Sequence, residues 1–240
     1  MVDGTIALYA TAASVAFVHT ALGPDHYLPF VAMSRAGGWS RRKTIVVTLL
    51  CGLGHVLSSA ILALICIALG IAALEIEWLE RFRGDIAGWL LLSFGLVYFL
   101  WGVRRAIRNQ PHTHFHAHAD GVVHTHEHTH HAEHVHVHAR DRDGADRTGF
   151  TPWVLFTIFL FGPCEPLIPI FMYAAAKGTM WTVVGVSIVF GVFTIATMLA
   201  IVACSSWIVG ITPLLRGHRY GHALAGLAVL ACGVAVRAGL

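Results

Sequence analysis

Charged side chains are scarce in this chain, and their scarcity excludes an ordinary soluble domain. Only 12% of the 240 residues are Asp, Glu, Lys or Arg, while 56% are hydrophobic and the mean hydropathy is +0.69. Soluble domains carry about 25% charged residues. The composition therefore predicts an all-α membrane protein in contact with a lipid bilayer.

Several signatures are absent, and each absence excludes a class of function. The chain lacks a P-loop, so direct ATP hydrolysis is not expected, and it shows no nucleic-acid-binding motif and no zinc-finger spacing. Its five cysteines are odd in number and all lie in apolar stretches, which is not a disulfide framework. The N-terminus lacks a positive n-region, so we expect the first apolar stretch to be retained as a membrane helix. No enzyme activity is predicted.

Apolar stretches recur along the chain, and each meets the roughly 20 residues that a spanning helix requires. Three of them exceed that length and must tilt, kink or unwind, for which Gly23-Pro24 and Gly52/Gly54 are the obvious places. The sequence thus predicts six transmembrane helices, at approximately residues 5–33, 44–73, 86–107, 151–176, 179–210 and 219–238.

Two short stretches look like copies of each other and interrupt apolar segments with Gly and Pro. They are Gly23-Pro24-Asp25-His26-Tyr27-Leu28-Pro29 and Gly162-Pro163-Cys164-Glu165-Pro166-Leu167-Ile168-Pro169. At membrane depth a broken helix is tolerated where its freed backbone groups line a cavity or pack within protein. Such a pair in corresponding halves points to a transporter's substrate site. We therefore predict that helices 1 and 4 are broken at the Gly-Pro motifs and that the chain carries a small cation.

Basic residues predict the orientation, because Lys and Arg accumulate on the cytoplasmic side of a membrane. Twelve of the 16 lie in the loops after the first, third and fifth stretches, and Arg81, Arg83, Lys177 and Arg237 fall on the other side. Both termini are then outside. The second half enters the membrane from the opposite face, so residues 1–108 and 151–240 are predicted to be inverted three-helix repeats of a multi-pass protein of the cytoplasmic (inner) membrane.

Residues 109–150 are a different kind of segment, expected in the cytoplasm. Twelve of the 17 histidines lie there, many at every second position. The segment cannot bury enough apolar surface to fold alone. Neutral imidazoles at this density provide many weak sites for nickel, cobalt, copper or zinc, whereas a simple tether is the alternative interpretation. The auxiliary metal-loop residues are His112, His114, His116, His118, His124, His126, His128, His130, His131, His134, His136 and His138.

Few ionisable residues occur within the apolar stretches, where a charge costs about 2.5–3.5 kcal/mol on insertion scales. His19 and His26 are two helical turns apart, so both face one cavity if the break does not rotate them away. The set mixes imidazole, carboxylate and thiol, which suits borderline divalent first-row metals. The predicted metal-site residues are His19, Asp25, His26, His55, Glu165 and Cys164.

Three further residues receive weaker interpretations. Cys51 shares a helix face with His55 at i, i+4, but a buried cysteine usually acts as a small hydrophobe. His218 and His222 have the same spacing at the start of the last helix. We expect these two to be interfacial rather than ligating.

The stretches His19-Thr20-Ala21-Leu22-Gly23-Pro24-Asp25-His26 and Leu53-Gly54-His55 resemble the signatures of the nickel/cobalt transporter superfamily, with its NicO, efflux and UreH-like branches. The resemblance implies that His19, Asp25, His26 and His55 handle metal. The second half departs from the uptake carriers, because it has Gly162-Pro163-Cys164-Glu165 in place of their Asp-Thr pattern. The histidine-rich loop in a six-helix chain is similar to the exporter branch, which favours export over uptake.

Two alternatives remain open. The Pro-Cys pair in the second motif is similar to that of membrane thiol electron carriers of the CcdA and DsbD type, although the matching repeat has Asp25 and His26 instead of a second cysteine. The chain also suits a non-transporting accessory factor that hands nickel to a urease or hydrogenase. Ni²⁺ or Co²⁺ is the expected substrate, Zn²⁺ is a third candidate, and a cytosolic metallochaperone is a candidate partner. No prosthetic group is predicted.

Overall fold

The structure, a computed structural model, is helical apart from one hairpin. It describes residues 2–70, 73–108, 112–117, 123–128, 150–164, 166–211 and 220–238. The α-helices in these ranges are α1 (Val2–Leu22), α2 (Leu28–Ala36), α3 (Arg41–Ala68), α4 (Ala73–Arg108), α5 (Phe150–Phe161), α6 (Leu167–Lys177), α7 (Met180–Ile211) and α8 (Gly221–Arg237). A 3₁₀ turn at Pro24–His26 separates α1 from α2.

The described helices suit a membrane-embedded protein. Four are long and apolar enough to cross a membrane, at Gly4–Leu22, Arg41–Ala68, Glu75–Arg108 and Met180–Ser205. Large apolar side chains such as Val97 and Trp181 point outward, as contact with lipid requires. The prediction of six spanning helices is confirmed only in part, because α5, α6 and α8 have 12, 11 and 17 residues and are shorter than a spanning helix requires.

Both Gly-Pro motifs interrupt their helices, as predicted. The helix α1 ends at Leu22, and α5 ends at Phe161, in each case directly before the Gly-Pro pair. Proline has no backbone N–H to continue the helical ladder, and its ring clashes with the preceding turn. We call residues 23–27 the first break and residues 162–166 the second break.

The glycines of α3 behave differently from those of the breaks. The helix runs without unwinding through Gly52 and Gly54, so of the predicted tilt, kink or unwinding, unwinding does not occur there. A Cβ on Gly52 would lie 3.3 Å from Ile195, and a Cβ on Gly54 would lie 3.0 Å from the Phe156 ring. These glycines let neighbouring helices approach closely, which is a common use of small residues between membrane helices.

Contacts between helices join the two halves of the chain. The most extensive pair is α4 with α8, followed by α1 with α7, α2 with α8, α3 with α7, and α3 with α5. Gly95 and Gly102 of α4 face the backbone of α8, while Gly226 and Gly233 of α8 face the backbone of α4. Both glycine pairs are spaced by seven residues, so each helix lets the backbone of the other approach closely at two points.

Part of the histidine-rich segment forms an antiparallel hairpin of β1 (His112–Ala117) and β2 (Val123–His128). Its register pairs His112 with His128, and two further histidine pairs follow. We predicted a segment without a fold of its own; the alternation of His with other residues fits the two-residue period of a strand. The positions His118, His130, His131, His134, His136 and His138 lie outside the described residues.

Candidate metal centre

The first break positions three of the predicted ligands. The Gly23 N–H donates to the His19 carbonyl at 2.9 Å, which closes the last turn of α1. The His26 N–H then donates to the Gly23 carbonyl at 3.1 Å within the 3₁₀ turn. The chain therefore reverses tightly enough to bring the His19 and His26 rings together, with centroids 4.7 Å apart.

His55 joins this pair from α3. Its ring centroid lies 5.3 Å from that of His26, and the two ring planes are perpendicular. His26 and His55 are almost completely buried, with 4% and 3% of their surfaces exposed. Three imidazoles, from α1, the 3₁₀ turn and α3, thus lie close together.

Glycine at each break makes room for the imidazoles. A Cβ on Gly23 would lie 2.7 Å from His26 Nδ1 and 2.9 Å from Asp25 Oδ1. A Cβ on Gly162 would lie 2.9 Å from His55 Nδ1. Any larger residue at either position would displace a histidine, so the glycines allow the backbone of both breaks to touch the cluster.

Both breaks face one cavity of about 410 Å³. Gly23 and Asp25 line it from the first break, and Gly162, Pro163 and Pro166 line it from the second. The three histidines provide its polar wall, and apolar residues of α4, α5 and α8 complete it: Ala87, Leu91, Ile158, Phe159 and Val236. The two similar motifs, 139 residues apart in sequence, are therefore parts of one site.

Four buried ring nitrogens around this cavity have no hydrogen-bond partner: Nε2 of His19, Nε2 of His26, and both Nδ1 and Nε2 of His55. A buried polar atom without a partner is costly, and most such atoms in proteins are satisfied by protein or water. A neutral imidazole nitrogen with a free lone pair is also the commonest metal ligand in proteins. The cluster therefore has the donor chemistry of a site for a cation.

Asp25 orients the ring of His26. Its Oδ1 lies 3.1 Å from His26 Nδ1, and its side chain is 28% exposed. If Nδ1 carries the proton and donates to the carboxylate, the lone pair of His26 is on Nε2. Metal-binding histidines commonly hold their second nitrogen against a carboxylate in this way, which fixes the tautomer and the orientation of the ring.

Comparison with protein-family models, with curated proteins and with solved structures finds no match.

In the described part of the chain, no three His, Cys, Asp or Glu side chains are already close enough together to hold a metal ion. Coordination by this cluster therefore requires the rings to rotate toward a common centre, and the cavity provides the space for it.

The described residues of the second break that line the cavity are Gly162, Pro163 and Pro166. Cys164 does not line the cavity; it is buried in an apolar cluster with Ala12, Ala60 and Phe171. The assignment of Cys164 as a ligand gains no support from the cavity and stays a prediction. Cys51 is likewise packed among apolar residues, beside Phe30. Glu165 lies outside the described residues.

His222 stands apart from the cavity. Its Nδ1 lies 2.8 Å from the Tyr98 hydroxyl, and Arg105 Nη1 donates to its Nε2 at 3.0 Å. Both ring nitrogens thus have protein partners, in contrast to those of the cavity histidines. His218 lies outside the described residues.

Two residues beside the second break, Glu80 and Arg83, are not among the predicted site residues. Arg83 is placed by the sequence in an outward-facing loop, but the structure places it within α4, where its side chain is 11% exposed and forms an ion pair with the buried Glu80. The only sequence signal for this arrangement is the i, i+3 spacing of opposite charges on a helix, which is common on solvent-exposed faces as well.

Proposed function

We propose that this chain transports a divalent transition-metal cation, nickel or cobalt, across the cytoplasmic membrane by alternating access around the cavity of His19, Asp25, His26 and His55. The observation that carries the proposal is the set of four buried, unpartnered imidazole nitrogens in a cavity bounded by both helix breaks. A packing role would leave these nitrogens hydrogen-bonded, as it does in His222.

The donor set supports a borderline metal over a hard one. Imidazole nitrogens suit nickel, copper and zinc, whereas magnesium and calcium prefer sites of oxygen ligands. One carboxylate, Asp25, offsets part of the charge of a divalent ion at a depth where water is scarce. Protons compete with the metal for the same nitrogens, so a proton gradient is a suitable driving force.

The pattern of contacts supports an inverted repeat. In an inverted repeat, predicted helices 1, 2 and 3 correspond to helices 4, 5 and 6. The contact of α1 (helix 1) with α7 (helix 5) then corresponds to the contact of α5 (helix 4) with α3 (helix 2). The contacts α3–α7 and α4–α8 each join a helix to its own counterpart. Separating the halves as rigid bodies would open the close α4–α8 contact. We therefore place the movement around the cavity rather than between the halves.

Export is favoured because the basic loops and the histidine hairpin lie on the same predicted side, the cytoplasm. Weak sites at the cytoplasmic entrance would raise the local metal concentration there. The topology with both termini outside belongs to this proposal.

The test is metal flux in proteoliposomes of known orientation, with Ni²⁺ and Co²⁺, with and without a proton gradient. We expect His26→Gln to lower flux at least about tenfold, because it removes the ring that lies between the other two. His222→Gln is the matched control, since it alters a histidine outside the cavity. Equal flux for His26→Gln and wild type, at equal folded protein, would refute the site. Binding without any flux in the wild type would favour the accessory-factor alternative.

A further inference from the structure

The second break is held in place by an ion pair of α4. Glu80 Oε2 accepts a hydrogen bond from the Cys164 N–H at 3.0 Å. Arg83 Nη2 donates to the Leu160 carbonyl at 2.9 Å and makes a longer contact, 3.5 Å, with the Gly162 carbonyl. The two side chains thus satisfy backbone groups on both sides of Pro163.

Two serines of α3 also form hydrogen bonds with this ion pair. Ser58 Oγ accepts from Arg83 Nη2 at 2.7 Å, and Ser59 Oγ accepts from Arg83 Nη1 at 3.2 Å. Ser59 also donates to Glu80 Oε2 at 3.4 Å. His55 lies one helical turn before Ser59, so the same network joins the second break to the helix that carries a cavity histidine.

One face of α4 makes all of these contacts. A Cβ on Gly84 would lie 2.9 Å from Pro163, and Ala87 and Leu91 continue along that face to line the cavity. The arrangement is needed because unsatisfied backbone groups at membrane depth are costly, and an arginine can serve several carbonyls at once. By contrast, no charged side chain from another helix bonds to residues 23–26 in the described part of the chain.

We propose that Glu80 and Arg83 are positioning residues of the metal site. They fix the second break against His55, so that Gly162 confines the His55 ring. This inference rests on the proposed function for its effect on metal binding. The attachment of the second break to Glu80 and Arg83 can be tested without metal.

The test compares Arg83→Gln with the control Arg237→Gln, which breaks an exposed ion pair between α8 and Asp85 of α4. The first measurement is the rate at which a membrane-permeant maleimide labels Cys164, in a background in which Cys51, Cys66, Cys204 and Cys232 are alanine. Arg83→Gln is expected to raise the rate at least about tenfold, because both carbonyl contacts are lost. Arg83→Lys, which keeps the charge, is expected to restore part of the protection.

The second measurement is Co²⁺ binding by the same purified proteins, followed by visible absorption. In Arg83→Gln we expect the dissociation constant to rise about 10–100-fold and the Co²⁺ spectrum to change, as when an outer partner of a ligand is removed. A purely structural pair would lower the yield of folded protein and leave the spectrum and affinity of the folded fraction unchanged.

Each outcome decides one question. Increased labelling together with weakened Co²⁺ binding supports the proposal. Unchanged labelling, or increased labelling with unchanged Co²⁺ binding, overturns it. If Arg83→Gln does not fold, the double variant Glu80→Gln/Arg83→Gln removes both charges and is judged by the same two measurements. Wild-type protein that binds no Co²⁺ would refute the proposed function. The labelling rates would then still decide whether Glu80 and Arg83 hold the second break in place.

Discussion

The Gly162→Ala substitution is expected to weaken metal binding without unfolding the protein. Gly162 does not have a left-handed backbone, since the positive-φ glycines of the described residues are Gly38 and Gly70. Alanine therefore suits its backbone, and its effect is purely steric. The added Cβ would lie 2.9 Å from His55 Nδ1 and 3.4 Å from His55 Cε1, against an ordinary contact that begins at 3.4 Å.

The clash sets the size of the effect. To relieve the clash, the His55 ring must move by about 0.5 Å, which is the tolerance within which a binding group must be held. A displaced ligand of this kind costs about 10–100-fold in metal affinity. The free energy of unfolding changes little. Overpacking lowers it by about 1–3 kcal/mol, whereas replacing glycine raises it by about 0.4–1 kcal/mol, because alanine reduces the conformational entropy of the unfolded chain. Most of a total stability of about 5–15 kcal/mol remains.

The assay is calorimetric titration of purified protein with Ni²⁺, alongside thermal unfolding followed by circular dichroism. Gly221→Ala is the matched control, because a Cβ there would meet nothing within 4 Å. Nickel affinity equal in Gly162→Ala, Gly221→Ala and wild type would refute the conclusion that the second break confines His55.

Three further predictions address other parts of the chain. Cys164→Ser is expected to retain metal transport, because Cys164 does not line the cavity; complete loss of flux together with loss of thiol reduction across the membrane would favour the electron-carrier alternative. Deleting residues 112–138 is expected to leave transport intact but to raise the half-saturating metal concentration for outward flux, measured at several concentrations; unchanged concentration dependence would make the segment a tether and weaken the export assignment. Gly226→Ala is expected to lower the free energy of unfolding by about 1–3 kcal/mol, because its Cβ would meet the backbone at Phe99; chemical denaturation beside Gly221→Ala measures it, and equal stability of the two variants would contradict the close approach of α4 and α8.

Local patterns in the sequence predicted the parts of this protein that depend on local chemistry. The scarcity of charge predicts a membrane protein, and each Gly-Pro pair ends its helix where it stands, because a missing N–H and a fixed φ act within one turn. The seven-residue spacing of His19 and His26 predicts one shared cavity, and both rings line it even though Gly23 between them is extended. The paired glycines of α4 and α8 are visible in the sequence too, but their spacing does not predict which helix each of them contacts.

The tertiary structure alone decided which distant segments meet. Both breaks line one cavity, Cys164 turns into an apolar cluster, and Arg83 lies in α4 against the second break. None of these facts is encoded within a single helical turn, because each depends on how surfaces more than 70 residues apart in sequence fit together. Composition and backbone chemistry indicate which segments are apolar enough to span a bilayer and where α1 and α5 stop, whereas the packing of α3, α4 and α5 decides which side chains reach the cavity.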